Sequence, residues 1–115
     1  MIIYFKPSET ACRCGCGENI TDECRDRLDA LREAYGHPIR INSGARCEVY
    51  NAKIKNSAPK SKHIEGIAVD VSCESDVDRR NLIALALQYG WSGIGVGKSF
   101  IHLDIRTGTK VVWGY

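Results

Sequence analysis

The chain has 115 residues, 43% hydrophobic and 26% charged, so it is long enough for one domain with one modest core. Its 16 basic and 14 acidic side chains are scattered and leave a net charge of +2, which gives no support to nucleic-acid binding. No apolar segment approaches membrane-spanning length, and MIIYFKPSE is too short and too soon polar for a signal peptide. We therefore expect a single domain over residues 1–115, made in the cytoplasm and not inserted in a membrane.

The first part of the chain predicts a strand, a loop and a long helix. IIYF is expected to form a short strand ended by Pro7, and the glycines of CRCGCGEN indicate a loop. From Thr21 to about Tyr35 the apolar residues recur at helical spacing. Thr21 is suited to cap this helix and Gly36 to end it.

The remainder alternates between predicted strands and helices. PIRINS has the alternation of a half-buried strand, GARCEVYNAKI indicates a turn and a short helix, and KNSAPKSK is a polar loop. GIAVDV is too continuously apolar for a surface strand. SDVD begins a capped helix that we expect to run to Tyr89 and end at Gly90. GIGVG, FIHLDIR and KVVWGY are expected to complete an antiparallel set of strands. The pattern predicts an α+β fold, with two main helices packed on one small, mainly antiparallel sheet.

The six cysteines leave several interpretations open. Cys12, Cys14 and Cys16 lie in ACRCGCG, and the other three are spaced out along the chain at Cys24, Cys47 and Cys73. A disulfide framework is less expected without a signal peptide. A structural zinc site at these cysteines is one alternative, although C-x-C-x-C is not the C-x-x-C spacing of zinc ribbons. Small buried thiols beside glycine turns are another.

Ionisable residues occupy two of the apolar segments. His63 and Asp70 are seven residues apart in HIEGIAVD, so they converge only if His63 lies in a loop that turns at Gly66. In FIHLDIR, His102 and Asp104 alternate onto one face of a strand. If the two strands are neighbours, His63, Asp70 and His102 form a three-ligand set with an open fourth position, as in a catalytic zinc site. The alternative is that these side chains are polar residues at the edge of the core, satisfied by hydrogen bonds.

Four segments carry a resemblance to a known family. SKHIEGIAVDV resembles the S-x-H-x-x-G-x-A-x-D signature of the zinc D-alanyl-D-alanine carboxypeptidases, which share their fold with the hedgehog signalling domain. INSGARCEVYNAKI resembles their upstream S-G-x-R-C segment, and GIGVGKSFIHLDIR resembles the strand that carries the second histidine as H-x-D. FKPSETACRCGCG resembles the N-terminal part of a small-domain, phage endolysin-like branch. The resemblance therefore covers nearly the whole chain.

The resemblance implies a role for each matching position. It implies one zinc ion held by His63, Asp70 and His102, with Arg46 directed at the substrate carbonyl. Ser61 matches a serine that we expect to order the loop before His63 and to contribute to the substrate site. The implied partners are peptidoglycan stem peptides, cut beside D-amino acids or between L-alanine and D-glutamate. We accordingly expect a monomer that acts at the bacterial cell wall, for example as a phage lysin.

One departure from the family pattern concerns the general base. Several members carry a glutamate three residues before the second zinc histidine, where this chain has Ser99. Asp104 is the nearest remaining carboxylate, either as the catalytic base or as the group that orients His102, and we favour the second role. Glu65 is a weaker candidate. Three hypotheses follow: an active zinc peptidase, a metal-binding but catalytically weak module that recognises wall peptides, and a structural domain without metal.

Overall fold

The computed structural model describes residues 4–54 and 60–115, and the described residues form nine helices and strands. In chain order they are α1 (Pro7–Thr10), α2 (Asp22–Tyr35), β1 (Ile41–Ser43), α3 (Glu48–Lys53), β2 (Ala68–Ser72), α4 (Asp76–Gln88), β3 (Gly93–Val96), β4 (Phe100–Asp104) and β5 (Val111–Gly114). The predicted α+β class is confirmed, with α2 and α4 as the two main helices.

The ends of the two long helices follow from local sequence signals. The Thr21 side chain accepts a hydrogen bond from the Cys24 backbone N–H at 3.2 Å, and Gly36 ends α2 in the left-handed conformation with φ 78°. Ser75 caps α4 in the same way, since it accepts from the Asp78 backbone N–H at 3.1 Å. The helix ends at Gln88, one residue earlier than predicted.

The five strands form one sheet in the order β1-β2-β4-β3-β5. All neighbours are antiparallel except β5, which runs parallel to β3. The prediction that KVVWGY is antiparallel to its neighbour was therefore wrong. The chain reverses direction after β4, so β5 runs antiparallel to β4. The connection crosses the end of β3, however, and β5 therefore pairs with β3 and not with β4.

The N-terminal segment also differs from the prediction. Tyr4 and Phe5 form no strand, and residues 2–3 of the predicted strand lie outside the described residues. Pro7 begins helix α1, because proline is well tolerated in the first turn of a helix. The predicted loop KNSAPKSK falls partly outside the described residues, which resume at Lys60.

The two faces of the sheet differ in chemistry. One face packs on the helices, and its buried residues include Val69 and Val71 of β2 and Ile101 and Leu103 of β4. The intervening residues point to the opposite face, because side chains alternate along a strand. No helix among the described residues has the length and apolar character needed to cross a membrane.

Candidate metal centre

The polar face of the sheet carries a row of paired residues that runs across all five strands. In register, Ser43 of β1 lies opposite Asp70 of β2, and Asp70 lies opposite His102 of β4. His102 lies opposite Gly95 of β3, which pairs with Trp113 of β5. The row places a carboxylate and an imidazole side by side, since directly opposed side chains of a sheet are about 5 Å apart at Cβ.

His63 reaches this row from the loop before β2. The loop turns at Gly66, whose φ of 74° favours glycine, and the Gly66 N–H donates to the His63 carbonyl oxygen at 3.2 Å. The ring is held on its far side, because His63 Nδ1 lies 2.7 Å from the Gly44 carbonyl oxygen. A ring that donates from Nδ1 presents Nε2 to the row.

The side chains of His63, Asp70 and His102 converge on one point. Their ligand atoms all lie within 4.8 Å of one another. Asp70 Oδ1 is 3.2 Å from His63 Nε2 and 3.0 Å from His102 Nδ1. The histidines are only 2% and 6% exposed. Two imidazole nitrogens and one carboxylate oxygen are the donor set of catalytic zinc sites, which keep a fourth position for water or substrate. The residues present therefore fit a zinc ion.

Asp104 holds the other nitrogen of His102. Its Oδ2 lies 2.8 Å from His102 Nε2, which leaves Nδ1 of that ring facing Asp70. Arg106 donates hydrogen bonds to both oxygens of the same carboxylate, from Nε to Oδ1 at 2.8 Å and from Nη2 to Oδ2 at 2.6 Å. Asp104 is fully buried, and a Cβ at Gly93 on the neighbouring strand would collide with its carboxylate. This matches the carboxylate–histidine–metal arrangement that fixes ring orientation in many metal sites.

The electrostatics of the site keep both carboxylates ionised. Burial alone would raise the pKa of Asp70, but hydrogen bonds from His102 and His63 outweigh burial and hold the pKa below its ordinary value. Burial likewise opposes ionisation of Asp104, and Arg106 and His102 overcome it, so its pKa is also lowered. The two carboxylates in turn raise the pKa of His102 against the effect of burial. Because a metal must displace protons from its ligands, a metal bound at these residues would be held more tightly as pH rises.

Arg46 lies at the edge of the ligand set. Its Nη2 is 3.4 Å from Asp70 Oδ2, while its Nε donates to Ser43 Oγ at 3.1 Å and its Nη1 to Asn51 Oδ1 at 3.3 Å. The Arg46 backbone N–H also donates to the His63 carbonyl oxygen at 3.0 Å. The arginine is therefore held in place beside Asp70.

The other candidates occupy different positions. Ser61 Oγ accepts from the His63 backbone N–H at 3.2 Å, within the loop that carries this histidine. Glu65 is exposed and pairs with Lys62 at 3.0 Å. Ser99 is exposed in the turn between β3 and β4, where its carbonyl accepts from the Cys73 backbone N–H.

Sequence reasoning missed Arg106 and Trp113. The signal for Arg106 was present, because residues 102, 104 and 106 of FIHLDIR alternate onto one face. The Trp113 ring lies 5.3 Å from the His102 ring, and the Arg106 guanidinium lies 5.1 Å from the Trp113 ring. No local sequence pattern predicts these contacts of Trp113, because they depend on the parallel pairing of β5 with β3.

Residues 3–104 match the family described as Peptidase M15, which covers most of the chain and includes all three converging side chains. Arg106 and Trp113 lie beyond the matched residues. No curated protein matches the chain.

Proposed function

The chain belongs to the peptidase M15 family, a family of metallopeptidases, and on this premise we propose that it is a zinc-dependent peptidase that cleaves peptidoglycan stem peptides. The proposed reaction is of the D,D-carboxypeptidase or the L-alanyl-D-glutamate endopeptidase type, for example in a phage lysin. The observation that carries the proposal is the convergence of His63, Asp70 and His102 within 4.8 Å, with Arg46 beside them.

In this proposal three side chains hold the metal. His63 would bind through Nε2 and His102 through Nδ1, because the opposite nitrogen of each ring faces the Gly44 carbonyl and Asp104. Asp70 supplies the third ligand. When bound, zinc polarises the scissile carbonyl and lowers the pKa of water toward neutrality.

Arg46 is proposed to stabilise the negative charge that develops on the carbonyl oxygen. Its guanidinium contacts Asp70, so a fixed positive charge lies next to the ligand set. Ser43 and Asn51 hold the guanidinium in this position before substrate arrives. Ser61 is proposed to order the substrate side of the site by bonding to the His63 backbone.

Asp104 is proposed to position His102 and not to act as the general base. Both of its oxygens are engaged by Arg106 and His102, and the side chain is fully buried. A water molecule has no access to a carboxylate in this position. A general base contributes about two to four orders of magnitude in rate, so a site without a dedicated one is slow but active.

A second candidate function is a metal-binding module that recognises wall peptides and hydrolyses them weakly. The observation in its favour is that the candidate bases are otherwise placed: Asp104 is fully engaged by Arg106 and His102, and Glu65 is exposed and paired with Lys62. Ser99 has no carboxylate and lies exposed in a turn. Digestion of purified peptidoglycan separates the two functions.

The test is digestion of purified peptidoglycan, with the released peptides and the new chain ends identified by mass spectrometry. We expect new peptide ends that disappear with a chelator, return when zinc is added, and are lacking in the His102→Ala variant. Wall binding without new ends at any zinc concentration would favour the module. Cleavage that the His102→Ala variant retains in full would contradict the proposed site.

A further inference from the structure

Four of the six cysteines form a second cluster, separate from the three-ligand set. The sulfur atoms of Cys12, Cys14, Cys16 and Cys47 all lie within 4.8 Å of one another. The Sγ–Sγ distances are 3.4 Å from Cys12 to Cys14, 3.9 Å from Cys12 to Cys47, and 3.7 Å from Cys14 to Cys47. None of the four is in a disulfide.

These distances match a tetrahedral metal site. Zinc binds thiolate sulfur at about 2.3 Å, and ideal tetrahedral geometry then separates neighbouring sulfurs by about 3.8 Å. A disulfide requires a sulfur–sulfur distance of about 2.05 Å. The three distances are therefore too long for a disulfide and compatible with sulfurs that share one ion.

The loop conformation explains how alternate residues come together. In an extended chain Cys12 and Cys16 would be about 13 Å apart, at roughly 3.3 Å per residue. The loop instead turns at Gly15 and Gly17, with φ of 84° and 93°. A Cβ at either glycine would meet nothing within 4 Å, so these glycines serve the backbone conformation and not a close contact. The Cys12 N–H donates to the Glu18 carbonyl oxygen at 2.8 Å, which closes the loop around the three sulfurs.

The fourth cysteine comes from a distant part of the chain. Cys47 is the N-cap of α3, and its sulfur accepts from the Tyr50 backbone N–H at 3.4 Å. The Cys47 backbone N–H donates to Cys12 Sγ, also at 3.4 Å. Backbone donors of this kind stabilise negative charge on a thiolate and orient it as a ligand.

Beside the cluster, the backbone of residues 44–45 lies in close contact with the backbone of Thr10. The Ala45 N–H donates to the Thr10 carbonyl oxygen at 2.9 Å, and a Cβ at Gly44 would collide with that oxygen. The loop that carries three of the cysteines is thus held against the segment that carries the fourth.

We propose that Cys12, Cys14, Cys16 and Cys47 bind one zinc ion as a closed tetrathiolate site of structural type. Four protein ligands leave no position for substrate, which distinguishes the site from the open set at His63, Asp70 and His102. The ion ties the loop after α1 to the start of α3. Cys47 directly follows Arg46 in the chain, so the ion also fixes the segment from which Arg46 reaches Asp70.

The test separates the two sites by substitution. A His63→Ala, His102→Ala variant removes two ligands of the open set and leaves all four cysteines intact. We expect this variant to retain one zinc ion per chain by elemental analysis, down from two in the wild type. Its zinc-edge X-ray absorption should show sulfur ligands alone, at about 2.3 Å. Cys73→Ala serves as the control, because Cys73 is buried outside the cluster and its loss should leave both ions in place.

A variant without zinc, a zinc shell that contains nitrogen or oxygen ligands, or a disulfide among the four cysteines would overturn the proposal. If the histidine variant does not fold, alkylation of the wild type decides the question. Cys14 and Cys16 are exposed, so as free thiols they would be labelled rapidly. We expect both to resist labelling until a chelator is added, and rapid labelling before chelation would overturn the proposal.

Discussion

Asp104 is a buried carboxylate shared between a histidine and an arginine. We predict that Asp104→Asn weakens zinc binding by about ten- to a hundredfold and that activity returns at saturating zinc. The reason is that the amide keeps one acceptor for His102 Nε2 but loses the charge that Arg106 and the ring require. Zinc competition with a chromogenic chelator measures the affinity, and peptide hydrolysis at increasing zinc measures the recovery.

The control for this variant is Glu65→Gln, which neutralises an exposed carboxylate paired with Lys62 and should change neither quantity. Unchanged zinc affinity with hydrolysis abolished at every zinc concentration would mean that Asp104 is the general base.

Arg46 is the second residue whose role can be isolated by substitution. If it stabilises the developing oxyanion, Arg46→Ala should lower activity by roughly a hundredfold or more while zinc content stays the same. Arg25→Ala is the matched control, because Arg25 forms an exposed ion pair with Asp22 on α2. A melting temperature that falls in step with activity would instead assign Arg46 a purely structural role, through Ser43 and Asn51.

At the scale of the elements, β5 depends on a glycine of β3. Gly95 leaves room for Trp113, since a Cβ at this position would lie 2.7 Å from the Trp113 ring and 2.8 Å from the Tyr115 ring. We predict that Gly95→Ala destabilises the fold by about 1–3 kcal/mol, as overpacking does, and moves Trp113 away from His102. Denaturant unfolding measures the stability, and tryptophan fluorescence provides a readout of the ring's surroundings.

Gly114→Ala is the control on β5 itself, because a Cβ there meets nothing within 4 Å. If Gly95→Ala and Gly114→Ala had the same free energy of unfolding, the aromatic side chains of β5 would accommodate the added methyl group without loss of stability, and the prediction would be wrong.

The elements differ in how far the sequence predicts them, and the reason is the range of the interactions that define them. The ends of α2 were predictable because Thr21 and Gly36 act on backbone groups a few residues away. The direction of β5 was not, because KVVWGY carries no signal that selects β3 over β4 as its partner. Helix α1 has only four residues, too few for a periodic pattern.

At the scale of the whole molecule, the sheet separates an apolar core from a polar face that carries the candidate site. The convergence of His63, Asp70 and His102 was predictable, because strand alternation and the turn at Gly66 constrain these residues and the surrounding sequence resembles a family motif. The contact between Arg106 and Trp113 depends on which strands become neighbours in the sheet, and the residues around either side chain do not determine the strand order.

We propose that zinc held by His63, Asp70 and His102 makes this chain a peptidase. The most direct test is to remove metal with a chelator, restore zinc stepwise, and follow cleavage of a synthetic peptidoglycan stem peptide by wild type and His102→Ala. We predict that the metal-depleted wild type is inactive and regains activity as zinc is restored, while His102→Ala stays inactive at every zinc concentration. Full activity of the metal-depleted wild type, or equal recovery in His102→Ala, would contradict the claim.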